Sequence, residues 1–124
     1  MKIIVKELRA AEQALGRIIN QPMDFKLSYR LLRTVKKILT AFNDLERMRV
    51  SLVKKYGLEE ANGKIRVPEN KREDFDKEVE TELAKEMELD IGLIPRELLE
   101  VAQVKLSPAE LVAIENFIEP EVKR

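Results

Sequence analysis

Between Phe25 and Tyr56 the chain contains neither glycine nor proline, and apolar residues recur through this run at alternating steps of four and three. Leu31, Val35, Ile38, Phe42, Leu45, Leu52 and Tyr56 make up the row, and Arg49 is its one polar member. This spacing places the row on one side of an α-helix. At ~1.5 Å per residue the helix is about 48 Å long. Leu32, Leu39 and Val53 widen the apolar side. A helix of this length is expected to be the spine of the fold, with the remaining elements laid along it.

The flanking segments are shorter. A first helix is expected from about Ile4 to Ile19, with Leu8, Ala11, Leu15, Ile18 and Ile19 on one face, and "NQPMD" ends it. Asp24 stands where an N-cap belongs, and Gly57 where a helix stops. In the following loop Asn62-Gly63 signals a turn, and Ile65 and Val67 alternate as in a short strand. Asn70 and Glu73 have capping-box spacing, and a third helix is expected to run from there to about Glu88, carrying Phe75, Val79, Leu83 and Met87. Leu89, Ile91 and Leu93 alternate as in a second strand, whose expected partner is the Val101–Leu106 stretch. A brief helix follows Pro95 as far as about Ala102.

The expected fold is therefore mainly α: a long antiparallel helical hairpin with an N-terminal helix, and a small C-terminal helical subdomain with at most two short strands. All 124 residues are read as one domain, with residues 1–88 forming the three-helix hairpin part and residues 89–124 the subdomain. The first helix should fold back on the N-terminal half of the spine and the third on its C-terminal half.

Composition removes several kinds of chemistry. Without His or Cys there can be no zinc site of the common type, no imidazole acid–base work and no Ser-His or Cys-His nucleophile. Ser28, Ser51 and Ser107 have no recognisable base partner, and no glycine-rich phosphate loop is present. Asp74, Glu78 and Glu82 share a helical face and have the spacing of a weak site for a hard cation, although a solvated acidic surface is the commoner meaning of such a pattern. The chain is expected not to be an enzyme and to need no cofactor. The opening "MKIIVKELRA" holds too short an apolar run for a signal peptide. Nothing approaches the ~18 uncharged residues of a membrane span. A cytoplasmic product with no membrane contact is expected.

Lysine and arginine number 23 and so do aspartate and glutamate, but they are unevenly placed. Residues 1–56 carry 13 basic and 5 acidic residues, a balance of +8, and the remainder carries 10 and 18, a balance of −8. Lys26, Arg30, Arg33, Lys36 and Lys37 form a basic surface on the long helix. One meaning is a phosphate-binding stripe for nucleic acid. The favoured meaning is internal neutralisation by an acidic third helix returning antiparallel, with Arg30 and Arg33 beyond its reach and left as basic surface. Facing residue numbers should then sum to about 126, bringing Glu73 and Asp74 to Lys54 and Lys55, and Glu88 and Asp90 to Lys36 and Lys37. Aromatic residues interleaved with the bases, as a stacking platform requires, are not expected.

The chain closes with "KLSPAELVAIENFIEP". Ser107 and Glu110 form a capping box with Pro108 at the first helical position, and a helix is expected from Pro108 to Glu119, with Leu111, Ile114 and Ile118 inward. Phe117 has two readings. It either closes the open end of the hairpin core, or forms with Val112 and Val122 an apolar edge that docks a second subunit or an assembly partner.

"LVKKYG", "NGKIRVPEN", "FDKEVETELAKEMELDIGLIP" and this closing segment resemble a group of short proteins of undefined function encoded by tailed phages and prophages. In that group a basic helix ends in Lys-Tyr-Gly, an acidic helix follows, and a Leu-Ser/Thr-Pro-x-x-Leu helix ends in Phe-Ile. The resemblance covers most of the chain after Lys26 and rests on structural motifs, so it implies a phage or prophage origin without catalytic residues. The expected function is a structural or assembly role through protein contacts, with nucleic-acid binding or regulation through the basic face as the alternative. A homo-oligomer, most simply a two-fold dimer, is expected in the host cytoplasm or associated with the virion, with other phage or host proteins as further partners.

Overall fold

The computed structural model describes residues 1–120 and is mainly helical. Strand β1 (Lys2–Ile4) runs straight into α1 (Val5–Asn20), and α2 spans Phe25–Tyr56. Strands β2 (Leu58–Glu59) and β3 (Ile65–Arg66) form a small hairpin before α3 (Glu69–Leu83). Strand β4 (Glu86–Glu88), α4 (Arg96–Val101) and α5 (Pro108–Ile114) follow, and a single 3₁₀ turn occupies Glu115–Phe117.

The long helix has the expected bounds, but its ends are made differently. Asp24 occupies the N-cap position without a side-chain bond to the helix. Gly57 is extended rather than left-handed. Glycine is needed there because a Cβ would collide with the Ile65 Cγ2 methyl and the Val53 carbonyl oxygen, so its absence lets β3 approach the end of α2. The Asn62-Gly63 turn forms, with Gly63 at φ 81° and the Asn62 side chain accepting from the Lys64 amide at 3.1 Å. The expected Asn70/Glu73 capping box does not form. Pro68 holds the cap position of α3 instead, its carbonyl accepting from the Lys71 amide.

Two strand expectations are overturned. Neither 89–93 nor 101–106 becomes a paired strand, whereas the strand expected at Ile65 and Val67 forms as β3 and takes β2 as its partner. The residues after α3 pair instead with the N-terminus: β4 runs antiparallel to β1 with Lys2 opposite Glu88, Ile3 opposite Met87 and Ile4 opposite Glu86. The ladder is extended by Val5 donating to the Lys85 carbonyl at 2.9 Å and Leu89 donating to Met1 at 2.8 Å. Helix propensity favours continuing "AKEMEL" as helix, but the ladder and the burial of Ile3 outweigh it, and α3 stops at Leu83 rather than Glu88. Further on, Ile94 makes one parallel bridge to Ile118, exchanging bonds with Phe117 and Glu119.

The core also joins parts that the sequence separates. Leu8, Ala11, Leu15 and Ile18 of α1 cluster with Leu31 and Ile38 of α2 and with Leu89, Ile94, Leu98 and Ile114. The segment after residue 88 is thus one wall of the main core. By contrast, α3 contributes no buried residue and contacts the C-terminal half of α2 through side chains such as Phe75, whose ring meets Tyr56 edge-on at 6.1 Å. The division in packing therefore falls within α2: a head built on its N-terminal half and an arm built on its C-terminal half.

In α5 the capping box forms as expected, with Ser107 Oγ accepting from the Glu110 amide at 3.2 Å and Glu110 Oε1 from the Ser107 amide at 2.9 Å. The helix nevertheless tightens into the 3₁₀ turn after Ile114, earlier than expected. A 3₁₀ turn aligns residues three apart, so Phe117 follows Ile114 inward while Leu111 stays largely exposed. Phe117 is 1% exposed and belongs to the core. Of its two readings the core one holds, and the reading as an apolar edge for a partner is corrected. Phe117→Ala should cost about 3–5 kcal/mol in denaturant unfolding. A loss under 1 kcal/mol, with only an oligomer split, would contradict its place in the core.

Candidate interaction surface

The outward side of α2 in the head carries two rows. Lys26, Arg30, Arg33 and Lys37 follow 4-3-4 spacing, and Phe25, Tyr29, Leu32, Lys36 and Leu39 follow 4-3-4-3 spacing. Offset by one residue, the rows lie side by side, about 100° apart around the helix. The apolar row is open: Phe25 is 83% exposed, Tyr29 67%, Leu32 43% and Leu39 48%. The Phe25 and Tyr29 rings stack at 6.0 Å with 26° between their planes. This overturns the expectation that no aromatic residue accompanies the bases. The signal was present in the sequence as a second heptad-like row, one residue out of phase with the row that forms the core.

The basic row is only partly neutralised. Lys37 Nζ lies 2.8 Å from Asp90 Oδ2 and donates at 2.8 Å to the Asp90 carbonyl, as the internal-pairing expectation required. Hydrogen bonding to Lys37, reinforced by its charge, holds the Asp90 carboxyl below the usual carboxylate range. Among the described residues, no carboxylate forms an ion pair with Lys26, Arg30, Arg33 or Lys36, although the charge of Arg33 also helps to lower the Asp90 carboxyl. The first turn of α2 contains no acidic residue. Lys26 there opposes the positive end of the helix dipole, while Asp24 at the N-cap position complements it.

In the arm the expected charge register fails. Lys55 pairs with Glu78 at 2.9 Å, a number sum of 133 rather than about 126, because the β2–β3 hairpin displaces the start of α3. Glu88 is bonded by the Met1 ammonium at 3.0 Å, and Glu73 pairs with Lys77 on its own helix. Of the three acidic residues with cation-site spacing, Glu78 is engaged by Lys55 and Glu82 by Lys85 at 2.7 Å. Arg49 is paired within α2 to Glu46, not to α3. The Tyr56 hydroxyl first and Lys55 second hold the Glu78 carboxyl below its ordinary value, and donating to Glu78 pushes the Tyr56 phenol up.

Two depressions could receive an apolar partner. Leu45, Leu52, Phe75 and Val79 line a cleft of about 520 Å³ beside α1, α2 and α3, whose rim mixes Arg9, Glu12, Arg72 and Glu80. The second, of about 630 Å³, lies beside α4 and α5 over Leu99, Val104, Leu106, Leu111, Val112 and Ile118. Glu100, Glu115 and Glu119 stand around it, with Arg96 bonded to Glu100 at 2.9 Å. Its floor is shaped by the end of α4. Gln103, at φ 55°, donates to Glu100, and Val104 donates back to Leu99 at 3.1 Å, which turns Val104 toward the groove. Val112, at 74% exposed, is the one member of the expected apolar edge that is on the surface. Val122 lies outside the described residues.

No protein-family model, no curated protein and no solved structure matches this chain. Among the described residues no helix is long and apolar enough to cross a membrane.

The depressed Glu78 carboxyl gives the arm a pH dependence. A carboxyl with a lowered folded-state value stabilises above its unfolded value and loses that contribution as pH falls through the folded one. Acidification through and below the ordinary carboxylate range should therefore reduce hydrogen-exchange protection in α3 before α1. Glu78→Gln should flatten that response. Protection in α3 that is indifferent to acid would count against the pair as a tie between arm and spine.

Proposed function

We propose that this chain is a non-enzymatic structural or assembly protein of phage or prophage origin, acting in the host cell or with the virion through protein contacts made by the open face of α2. The observation that carries the reading is the row Phe25, Tyr29, Leu32 and Leu39, left uncovered on the most regular helix of the fold. Covering a Leu or Phe side chain stabilises by roughly 1.5–3 kcal/mol. Phe25 and Tyr29 have most of that to gain and Leu32 and Leu39 about half, a sum on the scale of the ~4–15 kcal/mol cost of association. The resemblance of the arm and closing helix to short proteins of tailed phages supports the origin. A gene neighbourhood of head, tail or lysis genes is the simplest check on it.

A second reading has its own observation. The stacked Phe25 and Tyr29 rings beside Lys26, Arg30 and Arg33 are the elements of a single-strand nucleic-acid platform. The aliphatic continuation through Leu32 and Leu39 favours a protein partner, since leucine gives a base no flat face to stack on.

Light scattering across a concentration series separates the two. The protein-contact reading expects a wild-type oligomer, most simply a dimer, that Tyr29→Glu with Leu32→Glu dissociates without loss of helical circular dichroism. The nucleic-acid reading expects a monomer whose affinity for single-stranded DNA falls steeply with salt. Three or four neutralised phosphates give a log–log slope of about −2 to −3.

A further inference from the structure

We infer that the occupant of the α2 face is a second copy of this chain, whose acidic groove beside α4 and α5 receives it. The inference rests on the protein-contact reading above and names its partner surface.

Sign of charge selects the pairing. Two α2 faces laid on one another would bring Lys26, Arg30 and Arg33 of one copy against the same residues of the other, and like charges at close range weigh against association. The groove offers the opposite rim. Glu115 and Glu119 have no basic partner among the described residues, and Leu111 and Val112 lie exposed beside them. The cleft beside α1, α2 and α3 has no such preference, because its rim alternates arginine and glutamate. Carboxylates arriving from the groove would also meet the positive end of the α2 dipole and relieve the crowding of cations there.

Placement permits the exchange to be mutual. Pro22, Met23 and Leu27, at the start of α2, line one surface depression together with Val101 and Gln103, at the end of α4. Gln21 ties the same region to the approach to α5, donating to the Lys105 carbonyl and accepting from its amide, each at 3.1 Å. Face and groove therefore lie around one end of the molecule. A two-fold axis near that end sets the face of each copy into the groove of the other and makes the same contact twice.

Two exposed-site variants test this by sedimentation equilibrium, with circular dichroism to verify folding. Tyr29→Glu with Leu32→Glu disables the face, and Val112→Lys with Glu115→Lys disables the groove. Wild type should dimerise, and each variant should weaken self-association by at least about tenfold. An equimolar mixture of the two should recover a heterodimer through the one intact face–groove contact. If the face variant is monomeric but the groove variant still dimerises, or the mixture stays monomeric, the face uses another surface and only this inference falls. If wild type is monomeric at every concentration, whether or not it binds single-stranded DNA, the protein-contact reading falls with it.

Discussion

The 32 residues of α2 outrun every element placed beside it, since α1 has 16 residues and α3 has 15. A helix is buried only where another element lies against it, and two shorter helices cannot cover all sides of one twice their length. The chain covers the side that carries Leu31, Ile38 and Ala41. It leaves the opposite side of the same turns to solvent, with Phe25, Tyr29 and Leu32 on it. Most features of the surface follow from this mismatch. The head is thick because α1 and the C-terminal segment both crowd one half of α2. The arm is thin because only α3 and the short β3 serve the other half, where Leu52 of α2 is buried and α3 buries none of its own residues.

Legibility in the sequence followed the length over which a signal was repeated. Seven turns of 4-3 spacing without glycine or proline placed α2 to the residue, and the short-range chemistry of Ser107, Pro108 and Glu110 placed α5. What failed was decided by partners distant in sequence. Nothing within Lys2–Ile4 or Glu86–Glu88 says that these three-residue pieces belong together, and "AKEMEL" on its own is good helix. The interface residues were misassigned for a related reason. Uniform α-helical turns would set Phe117 apart from Ile114, and the 3₁₀ turn rotates it into the core instead. Leu32 and Leu39 were seen only as a broadening of the buried stripe, although they belong to a separate row with Phe25 and Tyr29. Gln21, whose amide joins the α1–α2 turn to Lys105, carries no pattern at all.

Charge division between the halves of the chain proves to be two phenomena. Part of it is internal matching, seen at Lys55–Glu78 and Lys37–Asp90 and, between α1 and α5, at Arg17–Glu110, where the groups lie 3.3 Å apart. These pairs are solvent-facing for at least one partner, so they act more on which elements meet than on how firmly they hold. The remaining part is concentrated on the first turns of α2, where Lys26, Arg30 and Arg33 have no ion pair among the described residues. Like charges three and four residues apart, Lys26–Arg30, Arg30–Arg33 and Arg33–Lys37, work against local helix stability. A sequence tolerates such a conflict most readily where a surface has a use beyond the fold.

The location of that conflict bears on how firmly the surface is held. The face rises from the half of α2 that packs on α1, through Leu31, Ile38 and the α1 residues Leu8 and Leu15, all of them buried. It therefore stands on the best-packed part of the molecule, and the stacking of Phe25 on Tyr29 further limits how far those two side chains can wander. Exposed aromatic residues on a well-packed helix lose little conformational entropy when they are covered. The groove is built on similar ground, since Leu98, Leu99 and Ile114 beneath it belong to the same core. Both surfaces are thus preorganised by one packing unit, while the arm is tied to the spine by exposed charge, by the Tyr56 hydroxyl on Glu78 and by the edge-on contact of Phe75 with Tyr56.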